Sequence, residues 1–392
     1  MTSVDGLPDN GSCLSCNHSK PGDDRIPPDQ TPETAKDKTG STPSRFSLRV
    51  TAKWWRSLQR MGIGLHLLAS PRPPNPDIVK SIPSTLSERH GNFSLAFYFP
   101  KDYLKNPDST NWPVVVNYHG GGFTLGSPHD DARFARAVIE KSNAVFASVG
   151  YRLAPEFPFP TAVQDGADAI LYIVKNANDL RIDSNRIATS GFSAGGNIAI
   201  TAPICLNRYK KTVEVPDYRI LAVVTWYPIT DYTLSRAARR ASCNWPEHTL
   251  PPTLTNLFDS SYLFPPELNL ADACLSPSQA SDDELMESMP PNVFFFTCEW
   301  DMLLREGEEL ARRLEQPPIS RTVLYTMIGG VPHGWDKSPN PIKPPAKSSR
   351  LYAECCRRLR KVFEGGDPRS IFERPRRVPP PLPPRKQNGQ EK

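Results

Sequence analysis

The chain has 392 residues, enough for one large domain or two small ones. Its 47 basic and 42 acidic side chains leave a formal charge of +5, and residues 366–392 alone hold seven Lys or Arg against three acids. The basic excess therefore belongs to the tail, which argues against a nucleic-acid-binding face and for no nucleic-acid partner. Hydrophobic residues make up 38%, and no run reaches the roughly 18 apolar residues that a transmembrane helix needs.

Residues 1–45 are rich in Asp, Pro, Ser and Thr, lack apolar periodicity and are expected to be disordered. They contain no apolar leader, and the eight cysteines form no regular framework, so a reducing, cytoplasmic location is expected. Cys13-x-x-Cys16 with His18 nearby has no second ligand pair at finger spacing, so no metal is expected. From Arg45 to Ser70 the pattern changes. Trp54, Leu58, Met61, Leu65 and Leu68 recur at helical spacing, with Lys53, Arg56, Gln59 and Arg60 between them. The spacing predicts an amphipathic helix, weakened by Gly62 and Gly64, whose apolar face packs on the domain as part of a cap. The competing reading sets Trp54, Trp55 and their flanking cations against a membrane surface.

After Pro71–Pro76, strands and helices alternate. Asn92–Phe99, Val114–Asn117, Ala144–Val149, Arg186–Ser190, Ile220–Thr225, Val293–Thr297 and Thr322–Met327 read as strands. Ala162–Asn176, Gly195–Leu206, Glu308–Leu314 and Ala346–Phe363 read as helices. Near-continuous apolar strands in such an alternation mean a mostly parallel sheet covered on both faces. The interval from Thr233 to Pro291 has no strand pattern and is too long for a connecting loop. The domain is thus expected over residues 46–365, with a cap from about 46–85 and 233–275. Residues 366–392 are expected to form a basic, Pro-rich, disordered tail. Within it, Pro380–Arg385 matches P-x-x-P-x-R, a polyproline II segment of the kind that SH3 grooves accept; the plainer reading is a solvated terminus.

Three sequence motifs carry chemistry. Gly191-Phe192-Ser193-Ala194-Gly195 stands between a strand and a helix, where two glycines allow a tight turn and Ser193 stands proud as a nucleophile. The helix that follows turns its positive end toward developing negative charge. His119-Gly120-Gly121-Gly122-Phe123 ends an earlier strand. Its backbone N–H groups, together with that of Ala194, can bind an oxyanion, with His119 and Gly120 supporting the loop. A base must follow the nucleophile in the chain, which leaves His248 and His333; His333 lies just past the strand Thr322–Met327, whereas His248 lies in the Pro-rich interval. The acid that orients it belongs after the preceding strand, where Asp301 fits, with Glu299 and Asp231 as competitors.

HGGGF at 119–123, YRLAPE at 151–156, GFSAGGN at 191–197, WDMLLREG at 300–307 and PHGW at 332–335 together resemble the hormone-sensitive lipase family of α/β-hydrolases, over about residues 85–365. That resemblance implies an eight-stranded α/β-hydrolase fold with a helical cap. It also implies a triad of Ser193, Asp301 and His333, and an oxyanion hole from Gly121, Gly122 and Ala194. Phe192, where common subgroups carry Asp or Thr, and Trp335, where Phe is usual, mark a divergent branch. The expected activity is hydrolysis through an acyl-enzyme, without cofactor, of a small apolar or aromatic ester; the ester is read from the aromatic residues of the cap and not from the family, and its expected setting is specialised metabolism. Trp54, Trp55, Trp245, Phe258, Tyr262 and Phe264 are expected to line its pocket. The alternatives are a relative that binds small molecules without turning them over, and amide, formamide or lactone chemistry on the same three residues.

Overall fold

The computed structural model describes residues 43–106, 111–210, 212–343 and 345–371. The expectations for the first 42 residues, including Cys13, Cys16 and His18, and for residues 372–392, including the Pro380–Arg385 segment, lie outside them; of the tail expected to be disordered, Pro368–Ile371 is described and forms a short 3-10 turn. Eight strands form one sheet: β1 (Ile78–Pro83), β2 (Asn92–Tyr98), β3 (Trp112–Tyr118), β4 (Val145–Gly150), β5 (Ile182–Phe192), β6 (Ile220–Trp226), β7 (Asn292–Trp300) and β8 (Thr322–Pro332). They lie in the order β1-β2-β4-β3-β5-β6-β7-β8. The β1–β2 and β2–β4 pairs are antiparallel and all the others parallel. Every residue of β3 is buried, as a strand in the middle of a doubly covered sheet requires.

The helices in chain order are α1 (Arg45–Leu68), α2 (Lys101–Lys105), α3 (Ala132–Ala137), α4 (Thr161–Lys175), α5 (Ala194–Tyr209), α6 (Arg236–Ser242), α7 (Pro252–Tyr262), α8 (Asp282–Ser288), α9 (Leu304–Glu315) and α10 (Ala346–Phe363). Two apolar layers sandwich the sheet. On one face Ile170 of α4, Ile198 of α5 and Leu310 of α9 pack with Val114, Val223 and Phe295. On the other, Phe134 of α3 and Tyr352 and Leu359 of α10 pack with Val115, Val224 and Phe294.

Two expectations need correcting. The sequence pattern assigned residues up to 85 to a cap, but Ile78–Pro83 is the edge strand β1, paired in register with β2 from Ile78–Phe97 to Pro83–Asn92. Its signal is weak because only Ile82 is buried and Ile78 and Val79 face solvent. The second correction concerns α1. Ser44 caps it by accepting from the Ser47 N–H, so the helix begins where expected. It is turned the other way, however: Trp54, Met61, Leu65 and Leu68 are exposed, while Leu48, Ala52 and His66 are buried. Polar anchors fix that orientation. Arg56 makes a 2.8 Å ion pair with Glu156, Gln59 bonds Asp130, and the His66 ring bonds the Ser338 carbonyl.

Candidate active site

The sheet register assembles the site. β3 and β5 pair with Tyr118 opposite Gly191, so the glycine loop that follows β3 and the turn that follows β5 emerge side by side. β7 and β8 pair with Trp300 opposite Pro332, so the next residue of each strand, Asp301 and His333, also emerge as neighbours. All four positions lie at the carboxyl ends of parallel strands, where open α/β sheets hold their ligands.

Ser193 sits between β5 and α5 at φ 54° and ψ −119°, a conformation that L-residues rarely adopt. Its N–H donates to the Trp226 carbonyl at 2.8 Å, which holds the turn against the neighbouring strand. The turn can be this tight only because position 195 has no side chain, since a Cβ there would lie 1.9 Å from the Tyr118 carbonyl oxygen. Ser193 Oγ lies 2.8 Å from His333 Nε2, and His333 Nδ1 lies 2.6 Å from Asp301 Oδ2. The other Asp301 oxygen, Oδ1, accepts from the Leu303 N–H. Asp301 is buried, so its carboxylate is fixed by a backbone donor on one side and the imidazole on the other.

The competitors are engaged elsewhere. Glu299 Oε2 accepts from the Gly330 N–H; Asp231 bonds the Thr233 N–H and Gln279. His248 stacks on Trp300 with ring centroids 4.6 Å apart. His119 is buried with its ring stacked 4.2 Å from Tyr151 and Nδ1 2.8 Å from the Gly120 carbonyl, the loop-supporting place expected of it. Burial pulls its pKa down and so favours the neutral ring.

Gly120, Gly121 and Gly122 line the same cavity as Ser193 and His333. Among the described residues the N–H groups of Gly121, Gly122 and Ala194 have no protein acceptor. Ala194 opens α5, whose first N–H groups have no partner inside the helix and carry its positive end. Three free donors beside a serine hydroxyl can hold an oxyanion.

The cavity measures about 390 Å³ and is mostly apolar. Trp55, Leu58 and Ile63 of α1, Leu250, and Leu254 and Phe258 of α7 wall it. Of the six aromatic residues expected there, only Trp55 and Phe258 line it. Trp54 faces outward, Trp245 is 41% exposed, Tyr262 stacks on Phe123 in the core, and Phe264 lies beneath the Arg45 guanidinium.

The sequence reading missed the network behind His333. Tyr227 packs edge-on against the His333 ring, with centroids 4.8 Å apart, and its hydroxyl donates to Asp336. Tyr352 donates to the other Asp336 oxygen. Burial alone would push the Asp336 carboxyl up, but the Lys337 ammonium and the two tyrosine hydroxyls hold it below its usual range. Lys337 is desolvated too, yet Asp131 at 2.7 Å and Asp336 at 3.3 Å keep it charged and raise its pKa. The position of Asp336, three residues past His333, was the available signal.

An eight-stranded, mostly parallel sheet with a serine at a strained strand–helix turn and a histidine–aspartate pair on later strands defines an α/β-hydrolase. The chain belongs to that family: the model described as the alpha/beta hydrolase fold matches residues 115–337, and the motifs are those of its hormone-sensitive lipase branch. It is 33% identical over 210 residues to carboxylesterase NlhH of Mycobacterium tuberculosis, covering 54% of this chain and 63% of that protein. To an arylesterase of Saccharolobus solfataricus it is 32% identical over 232 residues, covering 59% of this chain and 70% of that protein. Among solved structures, an esterase of Pyrobaculum calidifontis superposes with TM-score 0.66 at 28% identity, over 81% of this chain and 97% of that one. The match to the mycobacterial relative thus spans less than two thirds of that protein's length.

Proposed function

We propose that this chain is a serine carboxylesterase that hydrolyses a small apolar or aromatic ester through an acyl-enzyme. The observation that carries this reading is the unbroken hydrogen-bonded line from Asp301 through His333 to Ser193, ending beside three backbone donors without acceptors. His333 Nε2 takes the hydroxyl proton as Ser193 Oγ attacks the ester carbonyl. Asp301 keeps the Nδ1 proton in place and stabilises the imidazolium. The carbonyl oxygen becomes an oxyanion held by the Gly121, Gly122 and Ala194 N–H groups. Collapse expels the alcohol, which leaves with the proton from Nε2. Water then enters, gives its proton to the same nitrogen and attacks the acyl carbon, releasing the acid and restoring Ser193.

A cavity of about 390 Å³ walled by Trp55, Leu58, Leu254 and Phe258 suits an acyl or aryl group of modest size. In this reading α1 and the 233–275 segment serve as the cap. No helix among the described residues is long and apolar enough to cross a membrane. A cytoplasmic setting is part of the proposal, supported by six buried cysteines that are all free. The esters of two relatives' names, carboxylic and aryl, point to the same substrate range.

Turnover of p-nitrophenyl acetate and butyrate by the wild type and by Ser193→Ala tests the proposal. The substitution should lower kcat roughly 10⁴-fold or more. Equal rates from the two proteins would end it, and would leave small-molecule binding without turnover as the better account.

A further inference from the structure

The outward face of α1 has no role in the site. Phe46, Val50, Trp54, Met61, Leu65 and Leu68 all project into solvent, Phe46 74%, Met61 64% and Trp54 57% exposed. At 3.6 residues per turn these six fall within an arc of about 100° along a 24-residue helix. A contiguous apolar stripe of that kind marks a contact surface rather than chance exposure. Arg49, Lys53 and Arg60, all exposed, run along one edge of it. Among the described residues none of the three is in an ion pair. The helix holds five Arg or Lys and no Asp or Glu.

We infer that this face docks on an anionic phospholipid surface, with α1 lying in the plane of the interface, its six apolar side chains in the acyl boundary and its cationic edge against the headgroups. Apolar side chains on one face bordered by basic ones, on a helix of low overall hydropathy, is the pattern of helices that lie on membranes. The charge argues against a second copy of this chain as the occupant. An antiparallel two-fold contact through the stripe would set the Arg49–Lys53–Arg60 edges of both copies side by side. Trp55 and Ile63 of the cavity wall lie away from the stripe on the same helix, and Leu58, at the stripe's edge, also lines the cavity. The inference does not depend on the esterase reading.

Co-sedimentation of the full chain with vesicles tests it. Vesicles of phosphatidylcholine with about one-third phosphatidylserine should bind at least tenfold better than phosphatidylcholine alone, less so at high salt. Val50→Glu/Met61→Glu places charge in the stripe without touching the cavity wall and should weaken binding roughly tenfold or more. Lys53→Gln/Arg60→Gln should weaken it by about the same factor. Both double variants should keep a cooperative urea transition, which checks their fold whether or not the chain turns over esters. Ser193→Ala should bind vesicles as the wild type does, which separates this inference from the proposed activity. Absence of vesicle binding, binding insensitive to Val50→Glu/Met61→Glu, or concentration-dependent dimerisation abolished by that variant would each overturn it.

Discussion

Replacing Gly121 by alanine tests the proposed oxyanion donors separately from Ser193. Gly121 has φ +116°, a region that side-chain-bearing residues enter at a cost of order 1–3 kcal/mol. A Cβ there would stand 2.4 Å from the Leu125 carbonyl oxygen and 2.7 Å from its carbon. Both atoms are backbone, so no rotamer change can relieve the clash. Leu125 and Thr124 also donate their N–H groups to the Gly121 carbonyl, at 2.8 and 3.0 Å, so pushing Leu125 away by about 1 Å opens the turn itself. The turn that aims the Gly121 and Gly122 N–H groups then reorients. Loss of one such donor costs about 2.7–4 kcal/mol of transition-state stabilisation, or 10²–10³ in kcat. The ground-state ester gains little from these donors, so KM should stay within about threefold and kcat/KM should fall with kcat. Steady-state kinetics with p-nitrophenyl butyrate, alongside urea unfolding to verify a folded protein, reads both parameters. A folded Gly121→Ala protein with kcat within threefold of wild type would refute the assignment of this turn to charge stabilisation.

Asp301→Asn keeps the shape of the orienting group but presents an amide that no longer fixes the Nδ1–H tautomer. The expected loss is about 10⁴ in kcat with little change in KM, and a loss below tenfold would show that His333 is oriented by something else. The pH dependence of stability should follow His66. Burial first, then the nearby Lys337 and Arg133 charges, lower its pKa to about 4 against 6.5 in the unfolded chain. A depressed histidine favours the folded state while it is neutral. Above pH 6.5 neither state binds the proton and nothing changes; between about 6.5 and 4 the unfolded chain binds it and the folded one does not, so stability falls as pH falls. The slope is at most about 1.4 kcal/mol per pH unit, less whatever solvent screening removes. Urea midpoints across that range should fall for the wild type and flatten for His66→Gln; parallel curves would exclude His66 as the cause.

Legibility from sequence varied with the kind of signal. The apolar strands at the centre of the sheet were readable because burial on both faces removes any need for polar residues, so runs such as Val114–Asn117 stand out. The edge strand β1 was not, because it has a partner on one side only and exposes Ile78 and Val79. The positions of Ser193, Asp301 and His333 were legible since each sits at a strand end, a place that motif and strand pattern fix together. The pocket was less so. Helical periodicity gives α1 an apolar stripe but cannot say which side meets the protein. Arg56, Gln59 and His66 decided that through long-range partners at Glu156, Asp130 and Ser338, none of them visible in local spacing.

The residue before the nucleophile shows how a departure from family pattern is accommodated. Phe192 stacks on Trp226 at 5.7 Å with an interplanar angle of 6°, and Trp226 stacks in turn on Phe296. An aromatic ring makes no hydrogen bond in this position, so it cannot anchor the neighbouring polar groups. Lys337 takes up that role: its ammonium lies 3.7 Å from the centre of the Phe192 ring while bonding Asp131 on one side and Asp336 on the other. Asp131 accepts from Asn117 of β3, and Asp336 accepts from Tyr227, whose ring rests against His333. One half-buried cation therefore ties the strand before the glycine loop to the loop that carries His333, across the face of Phe192. A smaller polar residue at 192 would remove the surface on which that cation rests, so the aromatic substitution and the Asp131–Lys337–Asp336 cluster are best understood as one arrangement.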